Sequence, residues 1–325
     1  MKKSLGIGLI GAGYWGINLI RNFYKLGVLK AVVDNDLRRK KVVLDIAPKV
    51  SFNNDYKSIL KNEFIKAVVI STPAKSHFNL VKKALLSEKH VFVEKPLCLK
   101  YEDGKKLQRI AEKKKLKLMV GHLLLYHPAY NKLREEIDKG SIGRLRYIYS
   151  NRLSLGKLRK EEDVLWSFAP HDISMILNLV NEKISTVEAF GGSYLHKKVK
   201  DTTITLIKFR NKVKAHIFVS WLHPYKDQRL VIIGNKGMLV FADVLDNKNK
   251  LLFYGHDVRW DGNIPVINKM KGKKIAFDYS KEPLYLECKA FVDWIKYDIV
   301  PPSSSKEGLA VLKVLELAKE KLKKW

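Results

Sequence analysis

Three glycines near the start of the chain have the spacing of a phosphate-binding turn. Gly11, Gly13 and Gly16 form the pattern G-x-G-x-x-G, after an apolar run and at the start of an amphipathic one. The first glycine permits a tight turn, the second lets a pyrophosphate approach the backbone, and the third lets a helix pack closely on a strand. The N–H groups at the start of that helix favour anions. The sequence therefore predicts a dinucleotide site.

An acidic residue stands where the ribose of such a dinucleotide would lie. Asp34 ends the next apolar run, 18 residues after Gly16. A carboxylate there can accept hydrogen bonds from both adenosine ribose hydroxyls, which favours NAD over NADP. Arg38 and Arg39 follow closely and could instead bind a 2′-phosphate, so NADP stays open.

Two later strand ends carry groups that could meet the same ligand. One strand ends in Ser71–Pro73, with His77 opening the next helix, and the following strand ends in Glu94–Pro96. Ligands of open parallel sheets lie beyond the carboxyl ends of the strands. We therefore expect Lys95 to point toward a bound nicotinamide, where an ammonium would stabilise charge that develops on a substrate oxygen.

Two histidines further along the chain are candidates for roles at the same site. His171 lies in the segment APHD (169–172), at the start of a helix predicted over residues 171–179. Imidazole, with a pKa of about 6.5 in water, suits a general base. A capping or core histidine is the alternative. His122 is expected to border the nicotinamide, with a structural role as its alternative.

The elements that must position these residues follow from the hydrophobic pattern. Up to residue 121, buried apolar runs alternate with helical segments, which predicts an α/β Rossmann domain with a doubly wound parallel sheet. The strands are predicted over residues 5–10, 30–33, 67–70, 90–93 and 117–120. Residues 122–325 change to alternating strands, which predicts an α+β domain with a large open, mostly antiparallel sheet. A final helix over 306–324 is expected to pack back near the domain junction.

The motifs together resemble the glucose–fructose oxidoreductase / inositol dehydrogenase / MocA (GFO/IDH/MocA) family. The match includes G-x-G-x-x-G, TPxxxH (72–77), EKPL (94–97), GxIGRL (140–145), APHD and GLAVLKVLELA (308–318). The resemblance implies an NAD(P)-dependent dehydrogenase that acts on CH–OH groups of a sugar. It gives Lys95 and His171 the catalytic roles, and it implies that the large sheet of residues 122–325 binds substrate and makes the contacts of a homo-oligomer, either a dimer or a tetramer.

A finer resemblance, in GYWG (13–16) and VLWSFAPHDIS (164–174), is to the branch that oxidises nucleotide sugars, such as UDP-N-acetylglucosamine, at the C3 hydroxyl for surface polysaccharides or glycans. A free polyol or aldose dehydrogenase of the inositol dehydrogenase type is the alternative, and a non-catalytic dinucleotide-sensing protein is a second one. Ser167 departs from the family pattern, because many members carry an aspartate at that position, four residues before the histidine.

The predicted site residues fall into two sets. Those expected to bind the cofactor are Gly11, Gly13, Tyr14, Trp15, Gly16, Asp34, Ser71, Thr72, Pro73, His77, Glu94, Lys95 and His122. Those expected to contact substrate are Tyr126, Arg152, Arg159, Trp166, Ser167 and Trp221. The two arginines are expected to bind a diphosphate, because a guanidinium matches phosphate geometry, with surface solvation as the alternative.

The composition of the chain limits the ligands, the cellular compartment and the metal or membrane features that we expect. The chain has 325 residues and a formal net charge of +29, from 62 Lys and Arg against 33 Asp and Glu. Such a charge favours anionic ligands, but the lysines are spread out, so nucleic acid is a minor alternative to a lysine-rich surface. The two cysteines have no paired spacing, which is typical of the cytoplasm. No metal site and no membrane span are expected.

Overall fold

The computed structural model describes residues 5–155, 158, 162–195, 197–269 and 271–322. The chain forms two compact units. The first contains the residues up to Tyr126 together with Lys281–Lys313, and the second contains His127–Ser280 together with the residues from Val314 onward. The sequence-based partition at 121/122 places all of the C-terminal segment in the second domain, whereas the first unit here includes Lys281–Lys313.

The first unit is built on a six-stranded parallel sheet with the strand order β3-β2-β1-β4-β5-β6. Its strands are β1 (Gly6–Ile10), β2 (Leu29–Val33), β3 (Ser51–Asn53), β4 (Ile65–Ile70), β5 (His90–Glu94) and β6 (Leu118–Gly121). Its helices are α1 (Gly16–Lys25), α2 (Arg39–Ile46), α3 (Lys57–Lys61), α4 (His77–Leu86), α5 (Tyr101–Lys113) and α8 (Pro283–Tyr297). The strand order and the parallel pairing confirm the predicted Rossmann domain.

Helix α8 belongs to this unit because it adds an aromatic ring to the unit's core. Phe291 of α8 lies edge-to-face on Phe23 of α1 and on Phe92 of β5, with ring centroids 6.5 and 5.8 Å apart. Phe23 and Phe92 are themselves 6.0 Å apart, and all three rings are buried. Edge-to-face pairs add to the free energy gained by burying the rings. The core of the cofactor unit is therefore completed by residues distant in sequence.

The second unit is built on a large sheet with the order β14-β13-β12-β11-β7-β10-β9-β8, and β15 pairs with β13. Among the ladders formed by the described residues, β7 and β10 run parallel and the other strand pairs run antiparallel. The strands are β7 (Leu145–Leu153), β8 (Ile184–Gly192), β9 (Thr202–Phe209), β10 (Lys214–Ser220), β11 (Asp227–Gly234), β12 (Gly237–Ala242), β13 (Leu251–Asp261), β14 (Ile264–Lys269) and β15 (Lys273–Lys274). This confirms the predicted α+β domain. Its helices are α6 (Pro128–Asp138) and α7 (Val164–Val180), and α9 (Ser305–Leu322) is divided between the two units at Lys313.

Helix α7 begins earlier than the sequence indicates. The prediction places its start at His171, whereas the helix begins at Val164 and contains Pro170. Asp163 caps its N-terminus by accepting a hydrogen bond from the backbone N–H of Trp166 at 3.0 Å. His171 is therefore an interior helical residue, and its orientation is fixed by the packing of α7 on β7, β9 and β10.

The large sheet has one face turned toward its own helix and one face turned outward. In β9 the buried residues Thr203, Thr205 and Ile207 alternate with Ile204 and Leu206, which are 40% and 41% exposed. Phe190 of β8 is opposite Ile204 and is exposed to the same degree. Phe190, Ile204 and Leu206 therefore form an apolar patch on the outward face.

Within the described parts of the chain, no helix has the combination of length and apolar character needed to cross a bilayer.

Candidate functional site

The glycine turn between β1 and α1 is shaped by close backbone contacts. A Cβ atom on Gly11, whose φ is +101°, would lie 2.3 Å from the carbonyl oxygen of Ser71. A Cβ on Gly16 would lie 2.0 Å from the carbonyl oxygen of Gly11. Gly13, in contrast, has open space where its side chain would be. The first and third glycines thus permit the turn, and the second leaves room for a pyrophosphate, so these residues fit a dinucleotide.

A cavity of about 410 Å³ lies at the carboxyl ends of the strands beside this turn. Six of the predicted cofactor residues line it: Gly11, Gly13, Asp34, Ser71, Thr72 and Pro73. The cavity has further lining residues that the sequence pattern did not indicate, among them Asn35, Asn54, Tyr56, Lys75 and Ser76. Asn54 and Tyr56 follow β3, a short polar strand whose carboxyl end would have indicated them had the strand been recognised.

The carboxylate of Asp34 is held at the mouth of the turn by backbone groups. Its Oδ2 accepts a hydrogen bond from the N–H of Ala12 at 2.6 Å, and its Oδ1 accepts one from the N–H of Asp36 at 2.9 Å. Arg38 forms a two-point ion pair with Asp36, at 2.8 and 3.0 Å. The acid is thus fixed in place, while the nearby arginine already has a carboxylate partner.

A side-chain hydrogen bond connects the glycine turn to the end of β5. The indole Nε1 of Trp15 donates to Oε1 of Glu94 at 2.5 Å. The neighbouring Tyr14 is almost fully exposed. Trp15 therefore joins two segments that the sequence assigned separately to cofactor binding.

Lys95 lies half-buried at the end of β5, among groups that respond to its charge. Burial raises the pKa of Glu94 to about 7, while the hydrogen bond from Trp15 and the Lys95 ammonium oppose that rise. Burial, together with the same ammonium, lowers the pKa of His122 to about 3. The Lys95 cation therefore acts on a carboxyl and on a neutral imidazole at the edge of the sheet where ligands of this fold bind.

His122 follows β6 and is buried. Its Nε2 lies 3.6 Å from Oε2 of Glu307, and its Nδ1 has no hydrogen-bond partner among the described residues. Because its pKa is so low, its imidazole is neutral at physiological pH, with one ring nitrogen a donor and the other an acceptor.

His77 connects two loops at the same sheet edge. Its Nδ1 lies 2.7 Å from the carbonyl oxygen of Pro96, and its Nε2 lies 2.8 Å from that of Thr72. Both ring nitrogens therefore face backbone carbonyls, and burial lowers the pKa of the ring. This geometry suits a residue that positions the Thr72 and Pro96 loops.

In the second unit, the residue after His171 belongs to a buried polar cluster. Asp172 accepts hydrogen bonds from Nε and Nη2 of Arg152 at 2.7 and 3.2 Å and from Oγ of Ser150 at 2.6 Å. His171 itself is half-buried, and its carbonyl oxygen accepts a hydrogen bond from Oγ of Ser174 at 2.9 Å. Arg152, expected to bind a diphosphate, thus has a carboxylate partner within the unit.

The other residues predicted to contact substrate lie mostly in packed surroundings. Tyr126 is buried in the first unit, with its hydroxyl 2.7 Å from Oγ of Ser303. Trp166, Ser167 and Trp221 are buried in the second unit, and Lys319 lies 5.7 Å above the Trp166 ring. Arg159 lies outside the described residues.

Comparison with known proteins agrees with this architecture. Residues 5–122 match the family model of the GFO/IDH/MocA N-terminal domain, described as "Oxidoreductase family, NAD-binding Rossmann fold". Residues 130–240 match the model of the "GFO/IDH/MocA C-terminal domain". The chain is 26% identical to the oxidoreductase YrbE of Bacillus subtilis over 250 residues, and this alignment covers 73% of each of the two chains. It is 24% identical over 242 residues to inositol 2-dehydrogenase of Salmonella typhimurium, which covers 72% of this chain and 71% of the relative.

A solved structure extends the likeness over nearly the whole chain. UDP-N-acetylglucosamine 3-dehydrogenase GnnA from Acidithiobacillus ferrooxidans superposes with a TM-score of 0.86 at 22% identity and covers 98% of both chains. At that identity the likeness concerns the fold. With the two domain matches, the strand order and the glycine turn all in agreement, this chain belongs to the GFO/IDH/MocA family of NAD-binding oxidoreductases.

Proposed function

We propose that this oxidoreductase oxidises a ring hydroxyl of a nucleotide sugar, with UDP-N-acetylhexosamine and its C3 hydroxyl as the first candidate. The observation that carries the proposal is Lys95, a half-buried ammonium at the carboxyl end of β5 whose charge acts on Glu94 and His122. A fixed cation at this sheet edge suits a reaction that builds negative charge on an oxygen. The likeness to a UDP-N-acetylglucosamine 3-dehydrogenase supports the choice of substrate.

The proposed chemistry divides between two residues. His171 takes the proton of the substrate hydroxyl, and Lys95 stabilises the developing alkoxide as the carbon–oxygen double bond forms. Bound NAD⁺ supplies the acceptor for the hydride that leaves the carbinol carbon. The products are a keto sugar, NADH and a proton, so atoms and charge balance. Asp172, paired with Arg152 and Ser150, stiffens the helix turn that carries His171.

A free polyol is the second candidate, and one contact favours it. Arg152 is paired with Asp172 in a buried position, so a guanidinium expected to bind a diphosphate already has a carboxylate partner. An uncharged inositol would need no such arginine, and inositol 2-dehydrogenase is among the relatives.

The decisive experiment combines a substrate panel with two variants. NADH formation is followed by absorbance with UDP-N-acetylglucosamine, other UDP-sugars, myo-inositol and free aldoses. In Lys95→Met and His171→Asn we expect turnover to fall by about 10²–10⁴-fold, the usual contribution of a general base or a charge-stabilising donor. NADH affinity should change much less. Lys113→Met, which removes an exposed lysine of α5, is the matched control.

The possible results separate the alternatives. Turnover confined to UDP-sugars supports the first candidate, and turnover confined to free polyols supports the second. NADH binding without turnover of any sugar would favour the dinucleotide-sensing protein. Unchanged rates in both variants would refute the roles given to Lys95 and His171.

We further propose that the protein forms a homo-oligomer through the outward face of the large sheet. Phe190, Ile204 and Leu206 present an apolar surface on adjacent strands, while α7 covers the opposite face. An exposed apolar face of this kind is costly in water and favours association.

A further inference from the structure

The end of β6 leaves room for a carboxyl group of the neighbouring strand. Gly121 is the last residue of β6 and pairs with Glu94, the last residue of β5. A Cβ atom on Gly121 would lie 3.0 Å from Oε2 of Glu94, 3.1 Å from its Oε1 and 3.1 Å from its carboxyl carbon. These distances are shorter than an ordinary van der Waals contact. The Glu94 carboxyl group therefore occupies the space that a side chain at position 121 would need.

The Glu94 carboxyl group accepts hydrogen bonds from two different segments. Its Oε1 accepts the indole N–H of Trp15 at 2.5 Å, and its Oε2 accepts the backbone N–H of Lys95 at 3.2 Å. Trp15 is the N-cap residue of α1 and lies within the glycine turn, whereas Lys95 follows β5. Moving the carboxyl group by a few tenths of an ångström would lengthen or bend the bond from Trp15, and hydrogen bonds weaken as their geometry departs from the optimum. The space at Gly121 therefore controls the Trp15–Glu94 bond.

We propose that Gly121 is a positioning residue of the cofactor site, and that Glu94 acts there by holding the glycine turn rather than by contacting the cofactor. Gly121 leaves the Glu94 carboxylate where it can bind Trp15, and Trp15 keeps the turn in the geometry that receives a pyrophosphate. Gly11 and Gly13 line the cavity beside the turn, whereas Trp15 and Glu94 are not among the described residues that line it. The sequence-based expectation, in contrast, has Trp15 and Glu94 bind the cofactor directly.

The charge of Glu94 strengthens its bond with Trp15, because a hydrogen bond to an ionised acceptor is stronger than one to a neutral acceptor. Burial raises the pKa of Glu94 to about 7, and the bond from Trp15 and the Lys95 ammonium oppose that rise. Acidification below pH 7 therefore neutralises Glu94 and weakens the bond. Burial raises the pKa values of the two nearby acids of α8 and lowers that of the nearby imidazole, so these groups favour their neutral forms near pH 7: Glu287, Cys288 and His122.

A double-mutant cycle on NADH affinity tests the proposal. Fluorescence titration at pH 8 needs no sugar substrate, so the result is independent of the sugar specificity proposed above. Gly121→Ala should displace the Glu94 carboxylate and Trp15→Phe should remove its donor, and we expect each change to weaken NADH binding by about tenfold. The double variant Trp15→Phe, Gly121→Ala should bind NADH within about twofold of Trp15→Phe, because the bond is already absent. Trp260→Phe, at an exposed tryptophan of β13, is the matched control.

A direct contact between Glu94 and the cofactor gives a different result. Gly121→Ala would then weaken NADH binding by about tenfold with or without Trp15, and such additivity would overturn the proposal. Unmodified affinity in either single variant would also overturn it. If Gly121→Ala does not fold, Glu94→Gln takes its place in the cycle, because it removes the charge at the same contact, and the same two results decide.

The pH dependence provides a second readout, which a merely structural effect of the substitutions would not change. Between pH 8 and 6 we expect NADH affinity of the unmodified protein to fall by about fivefold as Glu94 is neutralised. In Trp15→Phe the fall should be smaller, because the charge of Glu94 no longer strengthens a bond to the turn. Groups that act independently of Trp15 contribute equally in both proteins. An equal fall in the two proteins would contradict the proposal.

Discussion

At the scale of single residues, we expect Asp34 to determine the choice between NAD and NADP. Its carboxylate is fixed by the N–H groups of Ala12 and Asp36 and lines the cavity beside the glycine turn. A carboxylate accepts ribose hydroxyls but repels a 2′-phosphate, which is the physical basis for preferring NAD.

We therefore expect Asp34→Asn to weaken NADH binding by about tenfold and to narrow the preference for NADH over NADPH. The reason is that the amide keeps the shape but loses the charge and one acceptor. Fluorescence titration with both cofactors measures the effect. Asp45→Asn, on the exposed side of α2, controls for the general loss of negative charge. An unchanged ratio of NADH to NADPH affinity would show that Asp34 does not bind the adenosine ribose.

Sequence reasoning at this scale succeeded where a residue's type reflects backbone geometry. The clash distances at Gly11 and Gly16 follow from the turn that their spacing predicts, and the residues at the end of β4 line the cavity. It did not foresee the partner of Arg152, because a guanidinium suits a diphosphate and a buried carboxylate equally well. Only the pairing of β7 with its neighbours and the path of α7 bring Asp172 to it.

At the scale of elements, the Arg152–Asp172 pair ties α7 to β7. Both side chains are buried, and Ser150 adds a third hydrogen bond to the same carboxylate. Removing one partner of a buried pair leaves an uncompensated charge, which typically costs about 3–5 kcal/mol.

Accordingly, Arg152→Met should lower the free energy of unfolding by about 3–5 kcal/mol, and the double change Arg152→Met, Asp172→Leu should restore much of it. Urea denaturation of the three proteins measures both effects. Arg144→Met, in the loop before β7, is the single-arginine control. A double variant no more stable than Arg152→Met would show that the charge of Asp172 is not the source of the loss.

The pairing of β5 with β6 contains a pH-dependent contact. The backbone N–H of Lys117 donates to Nδ1 of His90 at 3.0 Å, and burial, with the Lys117 ammonium, lowers the pKa of His90 to about 4. The unfolded chain binds this proton near pH 6.5, so the stabilisation is complete above that pH and is lost as the pH falls toward 4.

Replacing His90 by Asn keeps an acceptor for Lys117 and removes the titration. Between pH 6.5 and 4.5 the free energy of unfolding should fall in both proteins. We expect the fall in His90→Asn to be smaller than the fall in the unmodified protein by on the order of 2 kcal/mol. Urea denaturation at these two pH values provides the comparison, with His223→Asn as the control for loss of another histidine. Equal acid sensitivity in both proteins would contradict the assignment.

Most elements could be predicted because buried strands and amphipathic helices leave clear periodic patterns. The helix that carries His171 could not be bounded correctly, since a proline inside a helical pattern ordinarily indicates a start or a break. Here Asp163 caps the helix and Pro170 lies within it. Strand β3 was missed because its three residues, Ser51–Asn53, are mostly exposed and contain no apolar run.

At the scale of the whole molecule, the association proposed through the outward face of the large sheet can be tested directly. A charge placed among apolar side chains in an interface must be desolvated without a partner. Leu206→Glu should therefore shift the protein toward the monomer, which light scattering coupled to size exclusion detects. Leu86→Glu, at the exposed end of α4, provides the control. Finding the same assembly in both variants would exclude this face as the interface.

The position of Phe291 has a consequence for biosynthesis. Its ring completes a core whose other members, Phe23 and Phe92, emerge from the ribosome much earlier. All of His127–Ser280 is translated in between. The core of the first unit therefore stays incomplete, and partly exposed to water, until α8 has been synthesised. During that interval the exposed apolar residues are available for binding by chaperones that act on nascent chains.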